Sequence, residues 1–483
     1  MEFTLDEKQL EENAQFCKER GITIPTFAEM KDPSLIPREI GDELKEIGLW
    51  DLHPRNLYRI TWKNEPVAEG GLFGGVNHVV IPPELTGVKA RIVALCGKWF
   101  PTGAHKVGAT FGCLVPKLVT GQFNLTNTKA VWPSTGNYCR GGAYVSSLLG
   151  CESVAILPEN MSRERFEWLE KVAGEVIATA GCESNVKEIF DKCWELKETR
   201  NDIHIFNQFE ELGNTVWHYE VTGHAMEEVI RSMLAPGDRF AGSVFSSGSG
   251  GTLASGYYLK EVFPGAKLAA AEALQCPTML ENGYGDHRIE GIGDKHIPFI
   301  HDLKNTDMAI AIDDEHAMRI LRLFNTEPGH ECLLENGVPQ SFLTNLKLMG
   351  ISGIANLLGA IKFARYYELT EKDVVATVFT DSMELYGSRV AELNAERGAY
   401  QPRDAWRDFD LMANQDLANM RELSYYERKR IHQLKYFTWV EQQKVDVSNL
   451  NAQWYDHDEY WPSMLKVAPK IDELITAFNQ MVL

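Results

Sequence analysis

Between about residue 88 and residue 395 the chain repeats one pattern: a short apolar run, then a stretch whose apolar positions recur every three or four residues. Short apolar runs bounded by turn formers read as buried strands, and the 3.6-residue period between them reads as amphipathic helix. The strand candidates are residues 92–95, 130–132, 153–157, 175–178, 240–245, 267–271, 308–312 and 374–379, with helices between most of them, for example 163–173 and 185–198. This alternation predicts an α/β protein with parallel sheets covered on both faces, and ligands bound at the carboxyl ends of the strands. Residues 1–50 instead read as polar helices broken by Pro25, Pro33 and Pro37. From about residue 396 the pattern is helical and aromatic-rich, with Tyr425, Tyr426, Trp439, Trp454, Tyr455, Tyr460 and Trp461. Such a tail reads as a packing layer over the lobes or a subunit interface.

At 483 residues the chain exceeds what one hydrophobic core fills, so two lobes with extensions are expected. The pattern divides into a helical N-terminal extension (1–50), an α/β body (51–395) and a helical C-terminal extension (396–483). A formal net charge of −20 argues against nucleic acid or an anionic membrane as partner. No apolar run approaches membrane-spanning length, and the start, Met1 to Lys8, lacks the basic and apolar regions of a signal peptide, so a cytoplasmic location is expected. Nine cysteines without a CxxC pair read as reduced thiols, not as a disulfide framework or zinc site. Cys139, inside a glycine-rich loop, reads as a buried inert thiol. Asp456-His457-Asp458-Glu459 reads as a solvated face, and no metal is expected there.

Five segments carry candidate chemistry. Thr102-Gly103-Ala104-His105-Lys106 places a lysine at a strand-to-helix turn, where a partly desolvated amine can attack a carbonyl and form a Schiff base. Pro133-Ser134-Thr135-Gly136-Asn137 follows a strand and opens a helix, so amides, hydroxyls and the helix dipole converge in a way suited to a carboxylate. Ser246-Ser247-Gly248-Ser249-Gly250-Gly251-Thr252 makes an anion cradle suited to a phosphate. Read alone it also permits a nicotinamide-dependent dehydrogenase, with Glu272 at the place of a ribose-binding acid, although the third glycine of that fingerprint is missing. Ile289-Glu290-Gly291-Ile292-Gly293-Asp294 is a glycine-punctuated loop able to close over a ligand, and Gly350-Ile351-Ser352 opens an apolar helix. His287, Arg288, Asp294 and His296 around that loop are candidate specificity contacts, or exposed loop charges.

In this order the five segments resemble the fold type II pyridoxal-phosphate enzymes, which include cysteine synthase, cystathionine β-synthase, threonine dehydratase and the tryptophan synthase β chain. The likeness covers residues 55–390 and is reinforced by Asn207-Gln208-Phe209-Glu210, His218 and Thr222-Gly223, similar to the cysteine synthase segment before its phosphate cradle. It implies two doubly wound parallel-sheet lobes, a smaller mobile lobe (96–220) binding substrate and a large lobe (51–95 and 221–395) binding cofactor. It further implies pyridoxal 5'-phosphate bound covalently by Lys106, with His105 near its phosphate. Ser134, Thr135 and Gly136 would hold the substrate carboxylate with Gln208 assisting, and Asn137 would bond the phenolic oxygen. Gly248, Ser249, Gly250, Gly251 and Thr252 would hold the phosphate, and Ser352, or alternatively Ser382, would face the pyridine nitrogen. A neutral hydroxyl at that nitrogen is associated in this family with β-elimination rather than transamination.

The lysine motif is closest to the tryptophan synthase β chain, but that enzyme's catalytic glutamate is replaced here by Pro133-Ser134 and its phosphate loop is different. The other loops resemble the cysteine synthase and cystathionine β-synthase branch. The activity implied is β-elimination or β-replacement on a small amino acid with a β leaving group, of the serine, cysteine or O-acetylserine type, through an aminoacrylate. A thiol co-substrate and a homodimer are implied as well. A threonine or serine dehydratase is the alternative within the class.

Overall fold

The computed structural model describes residues 3–66, 71–134, 136–182 and 184–483. Its strands are β1 (His78–Ile81), β2 (Arg91–Cys96), β3 (Lys129–Pro133), β4 (Ser153–Pro158), β5 (Glu175–Thr179), β6 (Ile203–Ile205), β7 (Arg239–Ser246), β8 (Lys267–Ala273), β9 (Met308–Ile312), β10 (Asp373–Phe379) and β11 (Met420–Glu422). Every strand expected from the apolar runs is present. The larger sheet has the order β1-β2-β10-β7-β8-β9-β11, and the smaller the order β5-β4-β3-β6. All neighbours pair in parallel except β1 with β2 and β11 with β9.

The parallel strands are apolar because helices cover both faces. β10 is buried at all seven positions, whereas the edge strand β1 alternates exposed and buried. Three short strands escaped the sequence pattern, and each is an edge. β11 departs most from expectation, because it lies in the segment read as purely helical. Its pairing of Met420, Arg421 and Glu422 with Ile310, Ala309 and Met308 covers what would otherwise be an open sheet edge.

Helix Lys106–Leu118 follows β2 and carries the candidate lysine at its first residue. It crosses helix Leu212–Trp217 at Gly112 and Gly213. A Cβ on Gly112 would lie 2.3 Å from the carbonyl oxygen of Gly213, so the two backbones touch.

The C-terminal extension is tied into the fold by a buried ammonium. Lys435 Nζ donates to the carbonyls of Phe299 (2.9 Å) and His301 (2.6 Å) and to Gln453 Oε1 (2.8 Å). The Trp439 indole N–H donates to the Ile297 carbonyl at 2.9 Å. Trp439, Trp454 and Trp461 are buried while Tyr425, Tyr426 and Tyr455 are exposed, so the aromatic tail is a packing layer with a separate exposed aromatic face. His457 Nε2 lies 2.9 Å from Asp302 Oδ2, so the charged run 456–459 has one member built into this junction. Among the described residues no single helix is long and apolar enough to cross a membrane.

Candidate active site

Three strand ends converge on one cleft of about 680 Å³, counting the part open to solvent. Lys106 follows β2, the carboxylate-type loop follows β3 and the phosphate-type loop follows β7, so each reaches the cleft from a carboxyl-terminal strand end. Lys106, Ser134, Asn137, Gln208, Gly248, Ser249, Gly250, Gly251 and Thr252 all line it. Thr135 lies outside the described residues.

The loop between β7 and helix Leu253–Val262 is an anion cradle in this geometry. Among the described residues the backbone amides of Gly248 to Thr252 donate to no carbonyl or side chain, whereas the next three amides, of Leu253, Ala254 and Ser255, already bond the carbonyls of Gly250, Gly251 and Thr252. Five free N–H groups at a helix start form a cavity for phosphate oxygens. Lys106 Nζ donates to Ser249 Oγ at 2.9 Å, which places the amine at the rim of that cradle. Asn214 Nδ2 donates to the same hydroxyl at 3.0 Å and to the Gln208 carbonyl at 3.0 Å. A Cβ on Gly251 would sit 2.1 Å from Asn214 Oδ1, so only glycine fits between cradle and amide.

The pyridoxal-phosphate-dependent enzyme family model matches residues 84–335, over half the chain and all but the last of the five segments. The chain belongs to that family. Cysteine synthase of Staphylococcus aureus is 30% identical over 257 residues, covering 53% of this chain and 74% of that protein. Cystathionine beta-synthase of Saccharomyces cerevisiae is 24% identical over 313 residues, covering 63% of this chain and 58% of the yeast protein. The chain thus spans little over half the length of that relative. The solved O-acetylserine-dependent cystathionine beta-synthase of Helicobacter pylori superposes with a TM-score of 0.54 at 25% identity, covering 65% of this chain and 95% of that one. The residues present fit the family's cofactor, since the cradle supplies unpaired amides for a phosphate and a lysine amine stands beside it.

Family membership also ends the dinucleotide reading, and the geometry agrees. Glu272 points away from the cleft and accepts the amides of Met279 and Leu280, both at 2.9 Å, at the start of helix Thr278–Glu281. Burial pushes its carboxyl up to about 8.

The structure does not bring His105 into the cleft. Consecutive helical residues point in different directions, so with Lys106 facing inward His105 turns away. Its Nε2 lies 3.1 Å from Thr380 Oγ1, and its ring packs against Trp62 and His218. Burial, reinforced by the Lys106 charge, holds its pKa well below the usual histidine range. Gly136 and Cys139 are buried beside the cleft without lining it. Ser352 is buried behind Gly291, with its hydroxyl 3.8 Å from where a Cβ on that glycine would stand, and Gly291 lines the cleft. Ser382 is buried and does not line it. Of the glycine-loop charges only Asp294 lines the cleft. His287 bonds the Gly293 carbonyl at 2.9 Å, Arg288 pairs with Asp314 and Glu315, and His296 lies 3.3 Å from Asp294.

Several residues at the site escaped the sequence reading. Asn214 belongs to no recognisable motif, and Thr380 lines the cleft at the end of β10. Asp381 stands beside the serine singled out there. It is buried, and its Oδ2 accepts from Asn137 Nδ2 (2.6 Å) and from the Tyr386 hydroxyl (2.7 Å). Arg165 is equally buried, pairs with Glu290 and donates to the Tyr386 hydroxyl at 2.8 Å. A sequence signal existed for Thr380, Asp381 and Tyr386, which share with Ser382 one segment directly after an apolar strand.

Proposed function

We propose that this enzyme catalyses β-elimination or β-replacement on a small amino acid carrying a β leaving group, such as serine, cysteine or O-acetylserine. The observation that carries the reading is the Lys106 amine held at the rim of an amide cradle, in a cleft that also holds Ser134, Asn137 and Gln208. Pyridoxal phosphate, when bound, withdraws electrons from the substrate Cα so that its proton becomes removable.

The chain's own residues supply the rest. The amides of Gly248 to Thr252 and the Ser249 hydroxyl take the phosphate. Lys106 would hold the cofactor through its amine, and the same amine is the group placed to take the substrate's Cα proton as general base. Ser134, Thr135 and Gly136 bind the substrate carboxylate, with Gln208 assisting. That fixes the Cα–H bond relative to Lys106. Asn137 donates to the phenolic oxygen. Ser352, or alternatively Ser382, would offer the pyridine nitrogen a neutral hydroxyl, which favours loss of a β substituent over amino transfer. The smaller lobe, residues 96–220, carries the substrate loop and moves against the larger one, residues 51–95 and 221–395.

A thiol as co-substrate, a homodimer and a cytoplasmic location complete the proposal. All nine cysteines are free thiols and eight are buried, as suits a reducing compartment. The purified enzyme mixed with serine, threonine, cysteine or O-acetylserine should change its visible spectrum with at least one of them. A 2-keto acid and ammonia formed without added thiol identify elimination, whereas a thioether or cysteine formed only with a sulfur nucleophile identifies replacement. No spectral change with any β-substituted amino acid would sink the proposal.

A further inference from the structure

Asp381 occupies a place that the proposed chemistry leaves unexplained. It is fully buried at the end of β10, yet it lies against the one cleft amide assigned to the cofactor's phenolic oxygen. Asn137 presents an oxygen and a nitrogen of nearly equal size, and a buried amide turns whichever end its surroundings demand. Here the surroundings are an acceptor. Asp381 Oδ2 already accepts the Tyr386 hydroxyl at 2.7 Å, and it takes Asn137 Nδ2 at 2.6 Å. An oxygen used in this way faces only the donor end of the amide.

The acid is itself held in place. Gly350 leaves it room, since a Cβ there would lie 1.9 Å from Asp381 Oδ1 and 2.7 Å from the Tyr386 ring. Arg165 donates to the Tyr386 hydroxyl at 2.8 Å, and its Nη2 stands 3.9 Å from Asp381 Oδ2. Arg165 also packs on the substrate loop, where a Cβ on Gly136 would come within 2.7 Å of its Nε. The chain of contacts therefore runs from the carboxylate loop through Arg165, Tyr386 and Asp381 to Asn137.

We propose that Asp381 is a positioning residue that turns the Asn137 amide nitrogen-first toward the cofactor, and that Arg165 and Tyr386 couple this orientation to the substrate loop. With one N–H committed to Asp381, the second is left for the phenolic oxygen. The inference rests on the role proposed above for Asn137.

A double-mutant cycle on the full-length holoenzyme tests it, reading the visible absorbance of bound pyridoxal phosphate across pH and the cofactor dissociation constant. Asp381→Asn keeps the shape but can accept or donate, so the amide loses its preferred end. The expected result is a spectral change matching that of Asn137→Ala and a dissociation constant raised about ten- to a hundredfold. In the Asn137→Ala background Asp381→Asn should add nothing, because the acid acts through that amide. Tyr386→Phe removes one donor to Asp381 and should shift the spectrum in the same direction by less, which supplies a second cycle should Asp381→Asn not fold. Additive effects of the two single changes, or an unaltered spectrum and affinity in Asp381→Asn beside an altered Asn137→Ala, would overturn this inference alone. An unaltered spectrum in Asn137→Ala would overturn the role of Asn137 and this inference with it.

Discussion

Gly251→Ala isolates the cradle from the rest of the active site. The added methyl would lie 2.1 Å from Asn214 Oδ1, 2.6 Å from its Cγ and 2.8 Å from its Nδ2, well inside contact distance. Asn214 is completely buried, and its amide holds both Ser249 Oγ and the Gln208 carbonyl at 3.0 Å, so it moves only by giving up those bonds. Overpacking of this kind costs about 1–3 kcal/mol, and each hydrogen bond lost adds about 1 kcal/mol. Some of that strain is spread through the helix packing. If about 2–4 kcal/mol falls on the cradle, affinity for pyridoxal phosphate drops roughly thirty- to a thousandfold. The assay is titration of cofactor-free protein with pyridoxal phosphate, followed by absorbance or fluorescence quenching, with far-UV circular dichroism confirming the fold. Gly41→Ala is the control, because a Cβ there meets nothing within 4 Å. A folded Gly251→Ala protein with the affinity of the control would refute the reading of this loop as the phosphate site.

Gln208→Ala should raise KM for the amino-acid substrate about three- to tenfold, the worth of one neutral hydrogen bond, while leaving cofactor affinity unchanged; a change in cofactor affinity instead would move Gln208 out of the substrate subsite. Gly112→Ala should lower the melting temperature, because its methyl meets the Gly213 carbonyl at 2.3 Å and forces two helices apart at a cost of about 1–3 kcal/mol. Burial brings the Lys435 ammonium down to about 7, so between that pH and the ordinary lysine value of about 10.4 the unfolded chain binds more protons. Stability should therefore rise with pH across this window, by at most about 1.4 kcal/mol per unit, and Lys435→Met should remove that rise. Denaturant midpoints of both proteins at pH 7.5 and pH 9 (roughly the ends of the useful window) check this, and parallel pH dependences would contradict it.

Most strands that the apolar runs marked are buried on both faces, where packing decides the residue type; β5 is the exception, an edge strand that is apolar in sequence yet only partly covered. β10 shows why, with seven buried positions in a row. β6 and β11 are three-residue edges whose pairing comes from a distant partner, so no local signal marks them. The active site divides along similar lines. Lys106, Asn137 and the cradle stand out in the sequence only when the five glycine-punctuated turns are taken together in order, and the fold brings them to one cleft. His105 lies outside the cleft although it shares the lysine's motif, because neighbouring positions at a helix start face different directions. Asn214 reaches Ser249 across 35 positions and Arg165 reaches Tyr386 across 221, separations that no spacing rule contains. Asp381 was passed over for the serine beside it, since only the fold shows which of two neighbours meets Asn137.

Lys106 is the residue on which the assignment of this cleft as the catalytic centre rests. Borohydride reduction of the purified yellow enzyme, followed by proteolysis and mass mapping, should place a pyridoxyl group on the peptide containing Lys106. Lys106→Ala should lack both the label and the visible absorbance band. A label on another lysine, or a yellow and fully active Lys106→Ala protein, would contradict the assignment of this cleft as the catalytic centre.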